Sequence, residues 1–292
     1  MAIKTWITGA RVRTLPLAVA PILLGSATAA SIERFDFLLS ALALLVALLL
    51  QIAVNYANDY SDGVRGTDEY RVGPQRITAG GLARPADVKR AAFICFGLAA
   101  VCGLGIVFIT QQWWLIGIGS TAIIAAWFYT GGKQPYGYHG LGELAVFVFF
   151  GLIATIGSNY IQTSFIDPLA VLLGATSGLY ASAVLMVNNI RDIETDTKAG
   201  KRTLAVILGY GTSRFLFLLM IWLPVFVNLL LVLFYPATIL GLLNLLLLLP
   251  ITLINAKSRN PRDLITALKL TSFAGLGFAA LVSLGIYLVN FF

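Results

Sequence analysis

Apolar residues fill long stretches of this chain, and polar residues collect in the short segments between them. The long stretches approach the roughly 20 residues that an α-helix needs to cross the hydrocarbon core of a bilayer. The pattern predicts spans at residues 14–31, 37–56, 88–109, 113–129, 141–162, 168–189, 213–234, 237–255 and 270–291. We therefore expect an all-α polytopic membrane protein of about nine transmembrane helices.

The seventh and eighth predicted spans are separated by a single dipeptide, Tyr235-Pro236. No charged residue occurs from Phe215 to Ala256, and one helix of that length would extend roughly 60 Å, about twice the hydrocarbon thickness. Because proline cannot continue a helix, the chain is expected to turn at Pro236.

The composition supports a lipid environment. Hydrophobic residues make up 59% of the 292 residues and charged residues only 11%, against roughly 45–50% and about 25% in soluble proteins. No polar segment is long enough to form a separate soluble domain, so we treat residues 1–292 as a single transmembrane domain in the lipid bilayer.

The distribution of positive charge predicts orientation. A net charge of +7 on a soluble protein would suggest binding to nucleic acid, but here every basic residue except Arg34 lies in the N-terminal arm or in alternate connections between the spans. Connections rich in lysine and arginine face the cytoplasm. We expect a multi-pass protein of the cell inner (cytoplasmic) membrane, with a cytoplasmic N-terminus and no nucleic-acid partner.

Two polar stripes interrupt the apolar pattern. Residues three or four apart share one face of a helix. The first stripe, near the end of the second span, consists of Gln51, Asn55, Asp59 and Asp62. The second, near the end of the sixth span, consists of Tyr180, Asn188, Asp192 and Asp196. Polar groups at membrane depth usually face a cavity or a partner, and both stripes end in a carboxylate pair at the same, cytoplasmic, face of the membrane.

The carboxylate pairs suit a magnesium-diphosphate site. Mg²⁺ is usually held by one or two carboxylates together with substrate phosphates, which makes Asp59, Asp62, Asp192 and Asp196 the predicted ligands. Asn55, Asn58 and Asn188 are expected to contact the diphosphate or to orient the ligands. Lysine and arginine bind the remaining phosphate oxygens. The basic candidates are Arg65, Arg71, Arg76, Lys133, Arg191 and Lys201.

These motifs resemble the aspartate-rich motifs of the UbiA superfamily of intramembrane prenyltransferases, NDxxDxxxD and DxxxD. The third acid of the first motif, expected at Gly66, is displaced here to Asp68, which is a further candidate for substrate binding. Within that superfamily, longer segments are similar to the dihydroxynaphthoate polyprenyltransferases of menaquinone synthesis. The segments are RVRTLPLAVAPILLG (11–25), NDYSDGVRGTD (58–68), RVGPQRITAGGL (71–82), YTGGKQPYGYHGLGE (129–143) and NNIRDIETDTKAGKRTLAV (188–206).

The resemblance implies helices around a central cavity that the aspartate motifs cap on the cytoplasmic side. It also implies a Mg²⁺-dependent transfer of an isoprenyl chain from a polyprenyl diphosphate to dihydroxynaphthoate, with loss of diphosphate and CO₂. Aromatic side chains could shield the allylic cation of such a reaction. The candidates are Phe147, Phe149, Phe150, Tyr160 and Tyr180. Glu143, a carboxylate entering the fifth span, is a further candidate for contact with the acceptor.

Two alternatives remain. One is a member of the same superfamily that acts on another aromatic acceptor. The other is a secondary transporter, which would place ionisable groups near the bilayer midplane on broken helices, whereas the carboxylates here lie at span ends.

Overall fold

A computed structural model describes residues 3–67 and 76–288, and the regular elements in those ranges are all helical. The helices are α1 (Ile3–Ala10), α2 (Pro16–Ala30), α3 (Phe37–Arg65), α4 (Pro85–Thr110), α5 (Leu115–Phe128), α6 (Gly142–Thr163), α7 (Pro168–Arg191), α8 (Ile193–Lys198), α9 (Leu204–Leu231), α10 (Pro236–Lys257) and α11 (Pro261–Leu288). Within α6, Phe147–Ile153 is π-helical, and α10 begins as a 3₁₀-helix at Pro236–Asn244. Short 3₁₀ turns cover Val12–Thr14 and Tyr136–His139.

Seven helices in the described ranges are long and apolar enough to cross a membrane: α3, α4, α6, α7, α9, α10 and α11. The segments Ile3–Thr14 and Pro16–Ala30 meet at a bend of 50° and add an eighth span if they are counted together. The fourth predicted span corresponds to α5, which has only 14 residues. The all-α polytopic fold is therefore confirmed, and the count of nine spans stays a prediction.

The helices extend beyond the predicted spans where polar residues follow the apolar ones. α3 continues to Arg65 and ends at Gly66, whose φ of 75° forms a left-handed cap. α9 starts at Leu204, before the predicted span at 213, but it is kinked at Gly209, whose φ of 72° and ψ of 173° are not helical. Hydropathy marks only the part of a helix that lies in lipid, whereas backbone hydrogen bonding continues past it. The turn at Pro236 is confirmed, because α9 ends at Leu231 and the next helix begins at that proline.

α7 is the most deeply buried of the seven long helices, and it packs against α2, α6, α9 and α11. Glycine permits a very close approach of α6 and α7: a Cβ atom added to Gly151 would lie 2.3 Å from Cα of Gly178. Small residues at crossings are a common means by which membrane helices pack. This contact fixes the π-helical part of α6 against α7.

α3 and α4 form a second closely packed pair on the other side of the molecule. Tyr56, Val88 and Phe96 lie in their shared core, together with Ile77 from the connection between the two helices. That connection therefore folds back onto α3. The ends of α3 and α7 that carry the two acidic motifs meet across the space between the two groups of helices.

Candidate active site

A cavity of about 590 Å³ lies between α3, α4 and α5 on one side and α2, α6 and α7 on the other. Much of its wall is apolar and comes from the interior of the helices, for example Leu50 on α3 and Val107 on α4. Its polar end is lined by Asn58, Asp62, Arg76, Asn188, Asp192, Asp196 and Lys201. The cavity therefore joins an apolar compartment to a charged end, as sites for amphipathic ligands do.

One face of α3 supplies the polar residues of the first motif. Successive residues of an α-helix are rotated by about 100°, so Asn55, Asn58 and Asp62 all lie within about 40° of Gln51 around the axis. These four side chains line the cavity. Asp59 lies about 80° from Gln51 on the same scale, and it is absent from the cavity wall.

Asp59 faces the connection between α3 and α4 instead. Its side chain is 1% exposed, and its carboxylate accepts hydrogen bonds from the backbone N–H groups of Ile77 at 3.0 Å and Thr78 at 2.8 Å. The resemblance implied that both acids of the first motif cap the cavity, but Asp62 lines it and Asp59 does not.

Asp62 is the centre of the polar network. Its buried carboxylate accepts hydrogen bonds from Arg76 Nη2 at 3.3 Å, Lys201 Nζ at 3.1 Å and the Tyr138 hydroxyl at 2.6 Å. Lys201 also lies over the Tyr138 ring, with Nζ 4.7 Å from its centroid. The contact between Asp62 and Lys201 joins the end of α3 to the chain that follows the second motif.

Both cations beside Asp62 keep their charge at neutral pH. Burial lowers the pKa of Arg76 to about 10, which is still well above neutrality. Burial also acts to lower the pKa of Lys201, but attraction to Asp62, Tyr138 and Asp196 outweighs it, and the net pKa is raised. The polar end of the cavity thus presents two positive side chains next to its carboxylates.

The second motif begins where α7 ends. Asn188, Asp192 and Asp196 line the cavity, and Glu194 is exposed. Arg191 is buried and is not part of the cavity wall: its guanidinium donates to Asp192 at 2.7 Å and to Asn188 at 2.9 Å. In this structure Arg191 therefore orients the residues of the second motif.

The donor set fits Mg²⁺ in one specific way. Asp62, Asp192, Asp196 and the amide of Asn58 offer the oxygen ligands that this ion prefers. In the described ranges, no three acidic, histidine or cysteine side chains form a group that could hold a metal ion by themselves. Such an arrangement suits an ion that takes few protein ligands and completes its shell with water and substrate phosphate.

Tyr180 is not in the cavity, although the second stripe was extended back to it. It lies in the helix core with 1% exposure, and its hydroxyl accepts a hydrogen bond from Asn244 at 2.8 Å. Each step of four residues rotates by about 40°, which accumulates to about 80° between Tyr180 and Asn188. Among the other aromatic candidates, Phe149 and Phe150 line the cavity; Phe147 and Tyr160 do not.

Glu143 lies just behind the cavity wall. Its side chain is 3% exposed, and Oε1 accepts a hydrogen bond from Nδ2 of Asn189, which does line the cavity. Within the described chain, Oε2 of Glu143 is buried and has no hydrogen-bond partner. Because Glu143 does not line the cavity, its predicted contact with an acceptor would be indirect, through Asn189.

The remaining basic candidates lie outside the cavity wall or outside the described residues. Arg65 is exposed and donates to the carbonyls of Thr130 and Gly132. Lys133, on the connection that contains Thr130 and Gly132, is also exposed. Asp68 and Arg71, both predicted to bind substrate, fall in the range 68–75, outside the residues that the structure describes.

Several cavity residues were not identified from the sequence. Tyr138 donates to Asp62, Thr130 donates to Asn58 Oδ1 at 2.7 Å, and Arg11 lines the cavity at a bend where its backbone φ is 53°. Asn55 reaches that bend and donates to Ala10 O at 2.9 Å. The sequence indicated Tyr138 and Thr130 only as members of the polar segment 129–143. A connection has no periodicity that would show which of its side chains point into a cavity.

Comparison with known protein families gives a match to the UbiA prenyltransferase family over residues 18–273. The 1,4-dihydroxy-2-naphthoate octaprenyltransferase of Mycobacterium tuberculosis (strain ATCC 25618 / H37Rv) is 42% identical over 278 residues, which cover 95% of each chain. The protein of the same name from Mycobacterium leprae (strain TN) is 49% identical over 212 residues, which cover 73% of this chain and 72% of the relative.

The fold also matches a solved structure, that of a UbiA homologue from Archaeoglobus fulgidus bound to GPP and Mg²⁺. The TM-score is 0.64 at 14% sequence identity, and the match covers 96% of this chain and 99% of that chain. At that identity the similarity establishes the fold.

Proposed function

Because this chain belongs to the UbiA prenyltransferase family, we propose that it transfers an isoprenyl chain from a polyprenyl diphosphate to 1,4-dihydroxy-2-naphthoate. Diphosphate and CO₂ are released, and the immediate product is a demethylmenaquinol, the reduced form of a demethylmenaquinone. The relatives with 42% and 49% identity that carry the name 1,4-dihydroxy-2-naphthoate octaprenyltransferase support this acceptor. Residues 1–292 are proposed to act as one prenyltransferase domain.

One observation carries the proposal: a single cavity joins an apolar compartment to a charged end. An isoprenyl diphosphate has the same two parts, a lipid-soluble chain and a strongly charged head. The chain would lie along Leu50 and Val107, with the diphosphate beside Asp62, Arg76 and Lys201. A transporter for a small ion would have no use for an apolar compartment of this kind.

Departure of the diphosphate is the first step. The bond between the first carbon of the isoprenyl chain and its diphosphate oxygen breaks, and its electrons leave with the diphosphate. Arg76 and Lys201 are placed to donate hydrogen bonds to phosphate oxygens and to stabilise the negative charge that grows there. Mg²⁺ held by one or two of Asp62, Asp192, Asp196 and Asn58, together with the substrate phosphates, would supply further positive charge to the leaving group. The homologue solved with GPP and Mg²⁺ supports this cofactor.

Attack by the acceptor is the second step. The ring carbon that bears the carboxylate forms a bond to the first carbon of the allylic cation. The bond between this ring carbon and the carboxylate then breaks, CO₂ leaves, and the electrons of that bond return to the ring. Phe149 and Phe150 present aromatic rings to the cavity, where they can stabilise the cation through their faces. The apolar wall excludes water that would otherwise capture it.

The acceptor is tested by product mass. The purified protein is given farnesyl diphosphate and Mg²⁺ with either dihydroxynaphthoate or 4-hydroxybenzoate. We expect prenylation of dihydroxynaphthoate with loss of CO₂, and no product from hydroxybenzoate, whose prenylated product would keep its carboxylate. Prenylation of hydroxybenzoate alone would contradict the acceptor while leaving the family assignment in place.

We also propose that the charged end of the cavity faces the cytoplasm and that the protein lies in the cell inner membrane. The contact between Asp62 and Lys201 places the ends of α3 and α7 on one side, and the excess of basic residues marks that side as cytoplasmic. Accessibility tags near Gly66 and Lys198 are expected to report the cytoplasm, and a tag near Asp167 the opposite side. Tags at Gly66 and Lys198 on different sides would contradict the arrangement.

A further inference from the structure

A buried carboxylate on α3 binds the backbone of residues 77 and 78, in the described part of the connection between α3 and α4. Both oxygens of Asp59 are used: Oδ2 accepts from the N–H of Ile77 at 3.0 Å, and Oδ1 accepts from the N–H of Thr78 at 2.8 Å. Hydrogen bonds to an ionised acceptor are roughly twice as strong as neutral ones. At 1% exposure, water does not compete for them. The backbone of residues 77 and 78 is therefore held at a fixed position on α3.

The segment held in this way includes Arg76, a positively charged residue of the cavity wall. Arg76 directly precedes Ile77, is 7% exposed, and donates from Nη2 to Asp62 Oδ2 at 3.3 Å. The fit between the segment and α3 is close, because a Cβ atom on Gly63 would lie 2.6 Å from Cγ2 of Thr78. The position of the Arg76 guanidinium thus depends on how residues 77 and 78 rest on α3.

We propose that Asp59 is a positioning residue that holds residues 77 and 78 on α3 and thereby keeps Arg76 at the polar end of the cavity. Asp59 would not be a ligand of Mg²⁺. The inference rests on the proposed function in one respect, namely that Arg76 contacts the diphosphate of the donor. Two acids of one motif then have separate roles: Asp62 faces the substrate, and Asp59 places a cation that the substrate meets.

The first test is Asp59→Asn. The amide keeps the size of the side chain, but its NH₂ group must face one of the two backbone N–H donors, so one hydrogen bond is lost. We expect KM for farnesyl diphosphate to rise roughly tenfold, the effect of about one charge-assisted hydrogen bond. The Mg²⁺ concentration that gives half-maximal activity should not change.

The Arg76–Ile77 peptide bond provides a readout that needs no turnover. Trypsin cleaves after arginine, but this bond is buried in the segment held on α3. When opening is fast relative to cleavage, proteolysis follows the population of the open state. We expect mass spectrometry to show faster cleavage after Arg76 in Asp59→Asn than in the wild type. Cleavage after the exposed Lys257 serves as the internal reference.

Gly63→Ala repeats the test without changing any charge. Its methyl group would displace Thr78, while alanine in place of glycine favours the helix itself. We expect the same rise in KM and the same faster cleavage after Arg76. Gly97→Ala on α4 is the matched control, because a Cβ atom there has no neighbour within 4 Å. This pair keeps the proposal testable if Asp59→Asn fails to fold.

The coupling between Asp59 and Arg76 is tested with a double-mutant cycle. If Asp59 acts through Arg76, then Asp59→Asn should add little to the KM of an Arg76→Gln variant, because residues that act together are not additive. Full additivity of the two effects would contradict the proposal.

Two other results would overturn it. One is a Mg²⁺ activation curve for Asp59→Asn shifted roughly tenfold or more, with cleavage after Arg76 unchanged, which would make Asp59 a metal ligand. The other is a Gly63→Ala variant that is cleaved faster but keeps the KM of the wild type. An inactive wild type would instead contradict the proposed function, and the trypsin comparison would still decide whether Asp59 holds the segment.

Discussion

Asp62→Asn is expected to lower kcat by roughly 10²–10³-fold, the usual loss when one group that stabilises transition-state charge is removed. The amide keeps the shape of the side chain and can still accept the Tyr138 hydrogen bond. It removes the negative charge that faces Arg76 and Lys201 and that Mg²⁺ requires. Turnover of farnesyl diphosphate with dihydroxynaphthoate in detergent measures the effect.

Glu194→Gln is the matched control for this variant. It makes the same change of charge within the second motif, but its side chain is exposed, and activity should stay within about twofold of the wild type because exposed substitutions have small effects. Breaking a buried ion pair costs about 3–5 kcal/mol of stability, so thermal unfolding of both variants is measured alongside turnover. A folded Asp62→Asn protein with full activity would exclude the role assigned to this carboxylate.

Removal of divalent metal by EDTA is expected to lower turnover by at least about a hundredfold, and added Mg²⁺ should restore it. Without the ion, three cavity carboxylates, Asp62, Asp192 and Asp196, would repel the diphosphate. Equilibrium binding of farnesyl diphosphate, measured with and without Mg²⁺, should weaken in parallel.

The control for this experiment is EDTA already saturated with Mg²⁺, which should have no effect. Thermal unfolding should also be unaffected by EDTA, because the described residues contain no preformed group of three metal-binding side chains whose loss would loosen the fold. Turnover that continues at full rate in excess EDTA would contradict the metal requirement.

The first stripe was predicted from the period of one uninterrupted helix, α3. Gln51, Asn55 and Asp62 of that stripe line the cavity, and so does Asn58, which was not part of the stripe. Asp59 also met the spacing of three or four residues that defined the stripe, although it lies about 80° from Gln51 around the helix axis. Its actual partners are backbone N–H groups of a connection, and no spacing along the chain reveals where a connection folds back.

The second half of the site was predicted only in part. Asn188, Asp192 and Asp196 face the cavity as expected, but Tyr180 does not. A spacing of four slips around a helix by about 40° at each step, so a long series of such steps leaves the face on which it began. The regular helix is also interrupted at Asp192, between α7 and α8.

The cations show a further limit of sequence analysis. Arg76, Lys133 and Lys201 occupy similar polar connections, and charge alone does not distinguish them. The structure buries Arg76 and Lys201 beside Asp62 and leaves Lys133 exposed. What separates them is the path of each connection, which depends on contacts with helices that are distant in the sequence.

The length of α5 has a consequence for the surrounding lipid. Its 14 residues rise about 21 Å, whereas the hydrocarbon core of a bilayer is about 30 Å thick. Exposed Trp113 and Trp114 precede the helix, and tryptophan anchors a segment at the headgroup level. A bilayer can match a short apolar helix by local thinning, at a cost of fractions of a kcal/mol per Å. We therefore expect the lipid layer to be thinner beside this wall of the cavity and short-chain lipids to be enriched there.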